Sequence, residues 1–526
     1  NQSETIQVSQ SYLSMRRKVL MRKAVLAHAA ALIGGLIVLA PVVAPLAAQS
    51  APASTCSIDQ NKPKELALAW LSFTRAQSAA AGPARDALLK GLMKDLVDKP
   101  EKFKENPGGY NYVLTQVYSL EVLQPGGMLP TTRGALGLTT RPTEAFDVVT
   151  ELDNAYKGME AASPSCKADV AQSRTNEAWL ALTKRAFDAS NSGQADSAVY
   201  YANRSMILSK DNPFPHHILA TVAQQKNDMT TAVSEWKQVV QLAGTDTSYK
   251  DIKQTSQFYL GVNELQEAAK KSGEAQKTQA RAAANYLREF LTGNATSPDA
   301  PNVMSNLSTA IQMSGDTAQL KGMYADLLAN PGKYSEAILT MGGVVATQAK
   351  DMSSALKLFQ SSVAADSNSR DGLRNLAATH YGMDQFEQMF KPLRMLVRID
   401  PNNFDAVMMF AYASQGLGKA TKDQTVKRAW TDSLIKYQSS ADSLKAKVEV
   451  TGFTRGPSSA EVTIVVEQVA ATGESYSVKM EFMNAKGDVI GSDTQSTGKF
   501  AKGEKKTVKF KGNAPGIVSF KYGKLG

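Results

Sequence analysis

The chain has 526 residues, 43% of them hydrophobic and 21% charged, with a formal net charge of +10. That balance belongs to a folded protein of several domains, not to a disordered or collagen-like chain. Two cysteines exclude a multi-cysteine metal centre, and four histidines leave little material for metal or acid–base chemistry.

Residues 1–48 read as a leader. Met15 is the expected start, followed by Arg16, Arg17, Lys18, Arg22 and Lys23, then an uncharged run from Ala24 to Ala40 and a small-residue exit around Leu46-Ala47-Ala48. A basic region, an apolar region and small residues in that order form a secretory signal peptide. The expectation is an exported protein of the bacterial envelope, periplasmic or outer-envelope associated. No integral span is expected after signal removal, and an uncleaved N-terminal anchor is the alternative. Export places Cys56 and Cys166 in an oxidising compartment, where they are expected to pair; two separate buried thiols are the other reading.

Without the leader the balance falls to +6, and Lys499–Gly526 alone holds eight lysines against Glu504. A basic tip on a near-neutral body argues against a nucleic-acid partner.

From residue 49 to 444 the pattern is helical. Glu65-Leu66-Ala67-Leu68-Ala69-Trp70-Leu71 sets apolar residues three and four apart, and Asn106-Pro107-Gly108-Gly109 and Asn330-Pro331-Gly332-Lys333 break the helices. Residues 49–175 form N-terminal helical hairpins, with a Gly-, Pro- and Thr-rich loop near 123–143. From 176 to 444 a fixed step of 34 emerges: Gly343, Ala377 and Ala411; Lys350, Asp384 and Gly418; Phe359 and Leu393; Ala186 and Ala220; Gly193 and Asn227; Ala198 and Ala232. Small residues let paired helices approach, Gly, Asn or Asp turns the chain, and Trp236 or Phe359 fills the space between successive hairpins.

Over Asn176–Gly244 and Ser335–Gly418 the sequence thus resembles tetratricopeptide repeat (TPR) proteins, and Asp400-Pro401-Asn402-Asn403 before Phe404 matches that family's repeat boundary. The resemblance implies a mainly α fold, a right-handed superhelical array of antiparallel helix pairs. It also implies a concave face, lined by first helices, that binds a protein or peptide partner. Carrying that face over by phase selects Thr183, Phe187, His217, Thr221, Gln224, Thr340, Val344, Arg374, Tyr381, Met408, Tyr412 and Gln415. The set holds one cation and lacks the Lys/Asn-rich clamp some members use for an acidic C-terminal carboxylate, so that ligand is not expected.

Near Ser443 the period changes. Lys447–Val450, Glu461–Val466, Tyr476–Phe482, Lys506–Phe510 and Ile517–Phe520 alternate or are β-branched, and residues 445–526 are expected to form a small antiparallel β-sandwich. Val478–Gly491 resembles the FxLYD-type immunoglobulin-like domain of bacterial envelope proteins. Lys505, Lys506, Lys509 and Lys511 form a basic patch. It reads either as protection of an edge strand or as contact with an anionic envelope polymer or lipid.

No catalytic constellation is found: Gly-x-Ser-x-Gly, His-Glu-x-x-His and Cys-x-x-Cys are all absent. Gly416–Thr421 is expected to be an interhelix turn rather than a phosphate loop. His216 and His217 face different sides of one helix, and His380 reads as a packing residue. No cofactor or metal is expected. The sequence points to a non-catalytic interaction scaffold, with envelope-polymer or lipid binding by the β domain as the alternative and an unrecognised envelope hydrolase ranked below both.

Overall fold

The computed structural model describes residues 56–525, apart from 298, 457, 471 and 472. The expected leader lies outside the described residues. The chain divides into two compact units, Asn1–Ser256 and Gln257–Gly526. Among the described residues no helix is long and apolar enough to cross a membrane.

In the first unit the helices are α1 (Lys64–Ser78), α2 (Pro83–Val97), α3 (Pro107–Val122), α4 (Val148–Ala162), α5 (Lys167–Ser173), α6 (Glu177–Asn191), α7 (Ala195–Leu208), α8 (Pro213–Gln225) and α9 (Met229–Ala243). Their starts are written in the sequence. Asn106 caps α3 by accepting from the Gly109 amide, with Pro107 behind it; Asn212 and Pro213 do the same for α8. Each such cap is worth about 0.5–2 kcal/mol. Leu66, Phe73, Leu89, Leu96, Val113, Val117, Leu152 and Leu182 meet in one apolar core.

The Gly- and Thr-rich loop between α3 and α4 is an ordered structure. It folds on itself as a minimal hairpin, β1 (Thr131–Thr132) with β2 (Ala145–Phe146), and is clipped to the end of α2. Asp98 accepts from the Thr139 amide (2.7 Å), the Thr139 hydroxyl (2.8 Å), the Thr140 hydroxyl and Arg133 (3.1 Å). Burial pushes the Asp98 carboxyl up, but these hydrogen bonds outweigh it and hold the group well below the usual carboxylate range. Gly137, at φ +80°, sits where a Cβ would lie 2.9 Å from the Lys90 side chain, so only glycine serves there.

Cys56 and Cys166 are joined by a disulfide across 110 residues, with Cys166 fully buried. Asn106 adds two hydrogen bonds to the same N-terminal strap, to the Asp59 and Lys62 carbonyls (2.6 and 2.7 Å). Cys166→Ser is expected to lower the stability of this unit by about 2–5 kcal/mol. Urea denaturation of the oxidised wild type against the variant measures it, and coincident curves would contradict the expectation.

Helix α10 (Lys250–Ala269) carries the division between the units. The second unit continues with α11 (Gly273–Asn294), α12 (Ala300–Ser314), α13 (Ala325–Ala329), α14 (Glu336–Gln348), α15 (Met352–Ala365), α16 (Arg370–Gly382), α17 (Phe390–Ile399), α18 (Phe404–Ala420) and α19 (Gln424–Asp442). First helices α14, α16 and α18 start 34 residues apart, so the repeat in sequence is a repeat in structure. The turn position recurs too: Gly193, Asn227, Lys350 and Asp384 all have positive φ. Gly418 breaks that series. It lies inside α18, and Gly416–Thr421 is therefore not the expected turn but the end of a longer helix, the chain turning only at Thr421–Asp423. A close approach requires glycine at 416, where a Cβ would meet the Phe386 ring at 2.4 Å.

Six strands follow: β3 (Ala446–Arg455), β4 (Ala460–Gln468), β5 (Ser475–Met483), β6 (Val489–Lys499), β7 (Lys505–Gly512) and β8 (Ser519–Tyr522). They form two antiparallel sheets, ordered β3-β4-β7 and β6-β5-β8. Val462, Ile464 and Val466 of the first sheet share one core with Val478, Met480 and Phe482 of the second, which makes a β-sandwich. Val478–Gly491 forms β5, a turn closed by the Gly487 amide on the Asn484 carbonyl (2.9 Å), and the start of β6.

The sandwich is bound to the helical repeats of its own unit by the boundary loop Asp400–Asn403. Asn402, fully buried, donates to the Ala446 and Leu525 carbonyls (2.8 and 3.2 Å) and accepts from the Leu525 amide (2.7 Å). Its carbonyl accepts from the Val448 amide (3.0 Å). Asp400 accepts from Arg370 (2.7 Å) and from the Tyr522 hydroxyl. Arg455 reaches back to Glu336 (2.6 Å).

Candidate functional site

A repeat that stacks on its neighbours leaves one side of each first helix uncommitted. In the first unit those helices are α6 and α8. Thr183, Phe187, His217, Thr221 and Gln224 are all half-buried there. Phe187 packs on the Ala186–Ile218 core, and the Thr221 hydroxyl is tied to the His217 carbonyl (2.9 Å). The Thr183 hydroxyl and His217 Nδ1 have no hydrogen-bond partner within the fold. Burial holds the His217 imidazole down to about 4, so it is neutral near pH 7 and one ring nitrogen is free to accept. Its neighbour His216 pairs with Glu235 at 2.7 Å, and that hydrogen bond raises its own imidazole. The two histidines thus part as their sequence positions imply.

Leu180 and Phe214 belong to the same face and were not selected by phase. They stand 34 residues apart, three before Thr183 and His217, and are 55% and 37% exposed. The signal was available: the period that selected Thr183 and His217 also aligns these two.

In the second unit α14, α16 and α18 carry the face. Arg374, Tyr381, Tyr412 and Gln415 are exposed, and Val344 and Met408 half-buried. The Tyr381 and Tyr412 rings lie 6.3 Å apart at 51°, and Tyr381 meets Phe386 edge-on at 5.8 Å. Neighbouring repeats therefore build one aromatic surface of two large, nearly half-exposed rings. Thr340 is a correction: it is buried, its hydroxyl 2.6 Å from that of Ser362, which donates to the Glu336 carbonyl. The Thr340 hydroxyl is spent on that bond to α15, beside the close approach to Leu327 and Phe359 that Gly342 and Gly343 permit. Half-buried Met341, the next residue, was missed.

The basic residues of β7 are largely matched with acids. Lys505 meets Glu467 and Lys509 meets Glu461, both at 3.3 Å, and Lys506 meets Glu504 at 2.8 Å. Lys511 stands opposite Glu461 in the β4–β7 register, and its backbone amide donates to the Asp493 carboxylate (2.9 Å). A carboxylate on an edge amide is one way of closing that edge to another strand.

His380 is buried and bonded through Nδ1 to Gln385 (2.7 Å). Among the described residues no group of three or more His, Cys, Asp or Glu is placed to hold a metal ion.

No family model and no curated protein matches the chain. Solved structures similar to it include one described as "Functional Characterization of Pseudomonas Aeruginosa pilF", 12% identical, covering 50% of this chain and 96% of that one at a TM-score of 0.24. Another is the "TPR2AB-domain:pHSP90-complex of yeast Sti1", 17% identical, covering 50% of this chain and 98% of that one at a TM-score of 0.20. The class of the molecule rests on its own geometry: a TPR-like array of helix pairs followed by a β-sandwich.

Proposed function

We propose that the protein is a non-catalytic scaffold that binds a protein or peptide partner through its exposed first-helix faces. The observation that carries this reading is the Tyr381–Tyr412 pair, flanked by Met408, Arg374 and Gln415. Tyrosine and arginine are among the residue types that dominate binding energy at protein interfaces, and methionine is enriched there. In the first unit Leu180 and Phe214, 55% and 37% exposed, offer apolar contact on the corresponding face.

The envelope setting belongs to the same proposal. The leader pattern of residues 1–48 and a disulfide, a bond at home in oxidising compartments, support it. The FxLYD-type likeness of residues 478–491 is compatible with that setting. The pairing of β7 lysines with glutamates counts against a surface selected for an anionic polymer.

The test is retention of a partner on the immobilised full chain by wild type and by the Tyr381→Ala/Tyr412→Ala double variant. Each ring is expected to contribute about 1–2 kcal/mol, so retention should fall at least tenfold while the thermal midpoint stays put. Equal retention by both proteins would reject this face.

A further inference from the structure

Asp366 and Asp400 stand 34 residues apart and end equivalent helices, α15 and α17, yet their carboxyl groups are served very differently. Asp400 is saturated: Oδ2 accepts from Arg370 and Asn403, both at 2.7 Å, and Oδ1 from the Tyr522 hydroxyl. Asp366, 1% exposed, has only one oxygen satisfied, Oδ1 accepting from the Asn368 amide at 2.9 Å. Its Oδ2 is buried without a partner.

The repeat explains the difference. Where Asp400 has Arg370, Asp366 has the residue 34 places earlier, which is Glu336. Where Asp400 has the long reach of Tyr522 on β8, Asp366 has Ser519, three residues earlier on that strand. The Ser519 hydroxyl is 96% buried, faces the carboxyl, to which it donates only weakly, and has no other partner. One cation serves this end of the joint, Arg455, and it is engaged by Glu336 at 2.6 Å and by the Val518 carbonyl at 3.3 Å. The charged and titratable groups around Asp366 are therefore Glu336 of α14 and Arg455 of β3, with Arg398 reaching only its neighbour Asn368 (3.1 Å).

We propose that docking of the β-sandwich on the helical repeats is coupled to uptake of one proton by Asp366, which makes the joint a pH-sensitive latch. The proton comes from solvent and bonds to Oδ2; the resulting O–H donates to the Ser519 hydroxyl oxygen, reversing the weak donation that the hydroxyl makes to the carboxylate. Burial raises the Asp366 carboxyl above the ordinary carboxylate range, outweighing the Asn368 amide, the Ser519 hydroxyl and Arg455, which oppose it, and Glu336 adds to the rise. Undocked, the carboxyl returns to water and to its ordinary value near 4. A group raised in the docked state favours docking below that raised value. The contribution is lost as pH climbs through it, so acid tightens the joint and base loosens it.

Hydrogen exchange on the full-length chain tests this. The Val448 and Leu525 amides, which bond to Asn402, report docking, and amides in β4 and β5 report the integrity of the sandwich. Between about pH 4 and 8, after correction for intrinsic exchange, protection of the two docking amides is expected to fall by about tenfold for each pH unit that separates the docked and undocked carboxyl. In Asp366→Asn it should stay flat at the acid-side level, with β4 and β5 unchanged. The same pH slope in both proteins, or no slope in the wild type, overturns the proposal. Glu336→Gln gives an independent reading: it removes the like charge and should shift the transition to lower pH, and an unmoved or raised transition also overturns it.

Discussion

Asn402→Ala is expected to release the β-sandwich from the repeats while leaving both folded. The substitution removes one side chain and strands three buried backbone groups, the Ala446 and Leu525 carbonyls and the Leu525 amide. A buried polar group left unpaired costs about 1–3 kcal/mol, far more than a hydrogen bond contributes on balance. Water entering the opened joint relieves part of that cost, so a loss of about 3 kcal/mol in docking is expected, roughly a hundredfold in the equilibrium. Residues 443–445, which link α19 to β3, should then become a protease target, and cleavage there should speed up by a similar factor. Asp400→Asn is a milder companion, because Asn402 remains. Unchanged cleavage and an unchanged thermal midpoint in Asn402→Ala would mean that contacts other than the boundary loop hold the sandwich.

Phe359→Ala is expected to cost about 3–5 kcal/mol in the second unit. Its ring is 2% exposed and lies against Gly343, where an added Cβ would come within 2.5 Å of it. Ring and glycine are two halves of one contact: the missing Cβ on α14 is the space the ring from α15 occupies. Gly343→Val should therefore destabilise by overpacking, and combining it with Phe359→Ala should cost less than the two separate losses together. Urea denaturation of the four proteins measures this. Strict additivity would show that the residues do not share the cavity.

The repeat was legible because its two constraints are local and fall at fixed spacing. Small residues at Gly343, Ala377 and Ala411 and positive-φ turns at Lys350 and Asp384 recur with the hairpins themselves. The strands were legible through alternation, as in Val462, Ile464 and Val466 against Glu461, Thr463 and Glu467. The phase failed where a local contact overrode it. Gly418 continues a helix that packs on Phe386 through Gly416, and Thr340 is taken up by a buried hydrogen bond to Ser362. The Asp400–Asn403 segment was legible as a boundary but not as a clamp. Its partners, Ala446, Tyr522 and Leu525, lie 44 to 123 residues away, and nothing in a sequence pattern reports a hydrogen bond at that distance. The segment gathered on Asp98 was legible as a loop but its anchor was not, since nothing in its composition points to a carboxylate 35 to 42 residues earlier.

The claim that the first-helix face is the functional surface is tested most directly by crosslinking in the cell. A photoreactive residue replaces Tyr412 in one protein and the exposed Lys391 of α17 in a control, and captured proteins are identified by mass spectrometry. The account predicts one dominant partner at position 412, absent at 391 and lost when Arg374 or Tyr381 is also changed to alanine. Equal capture at both positions, or capture at 412 that survives those changes, would contradict it.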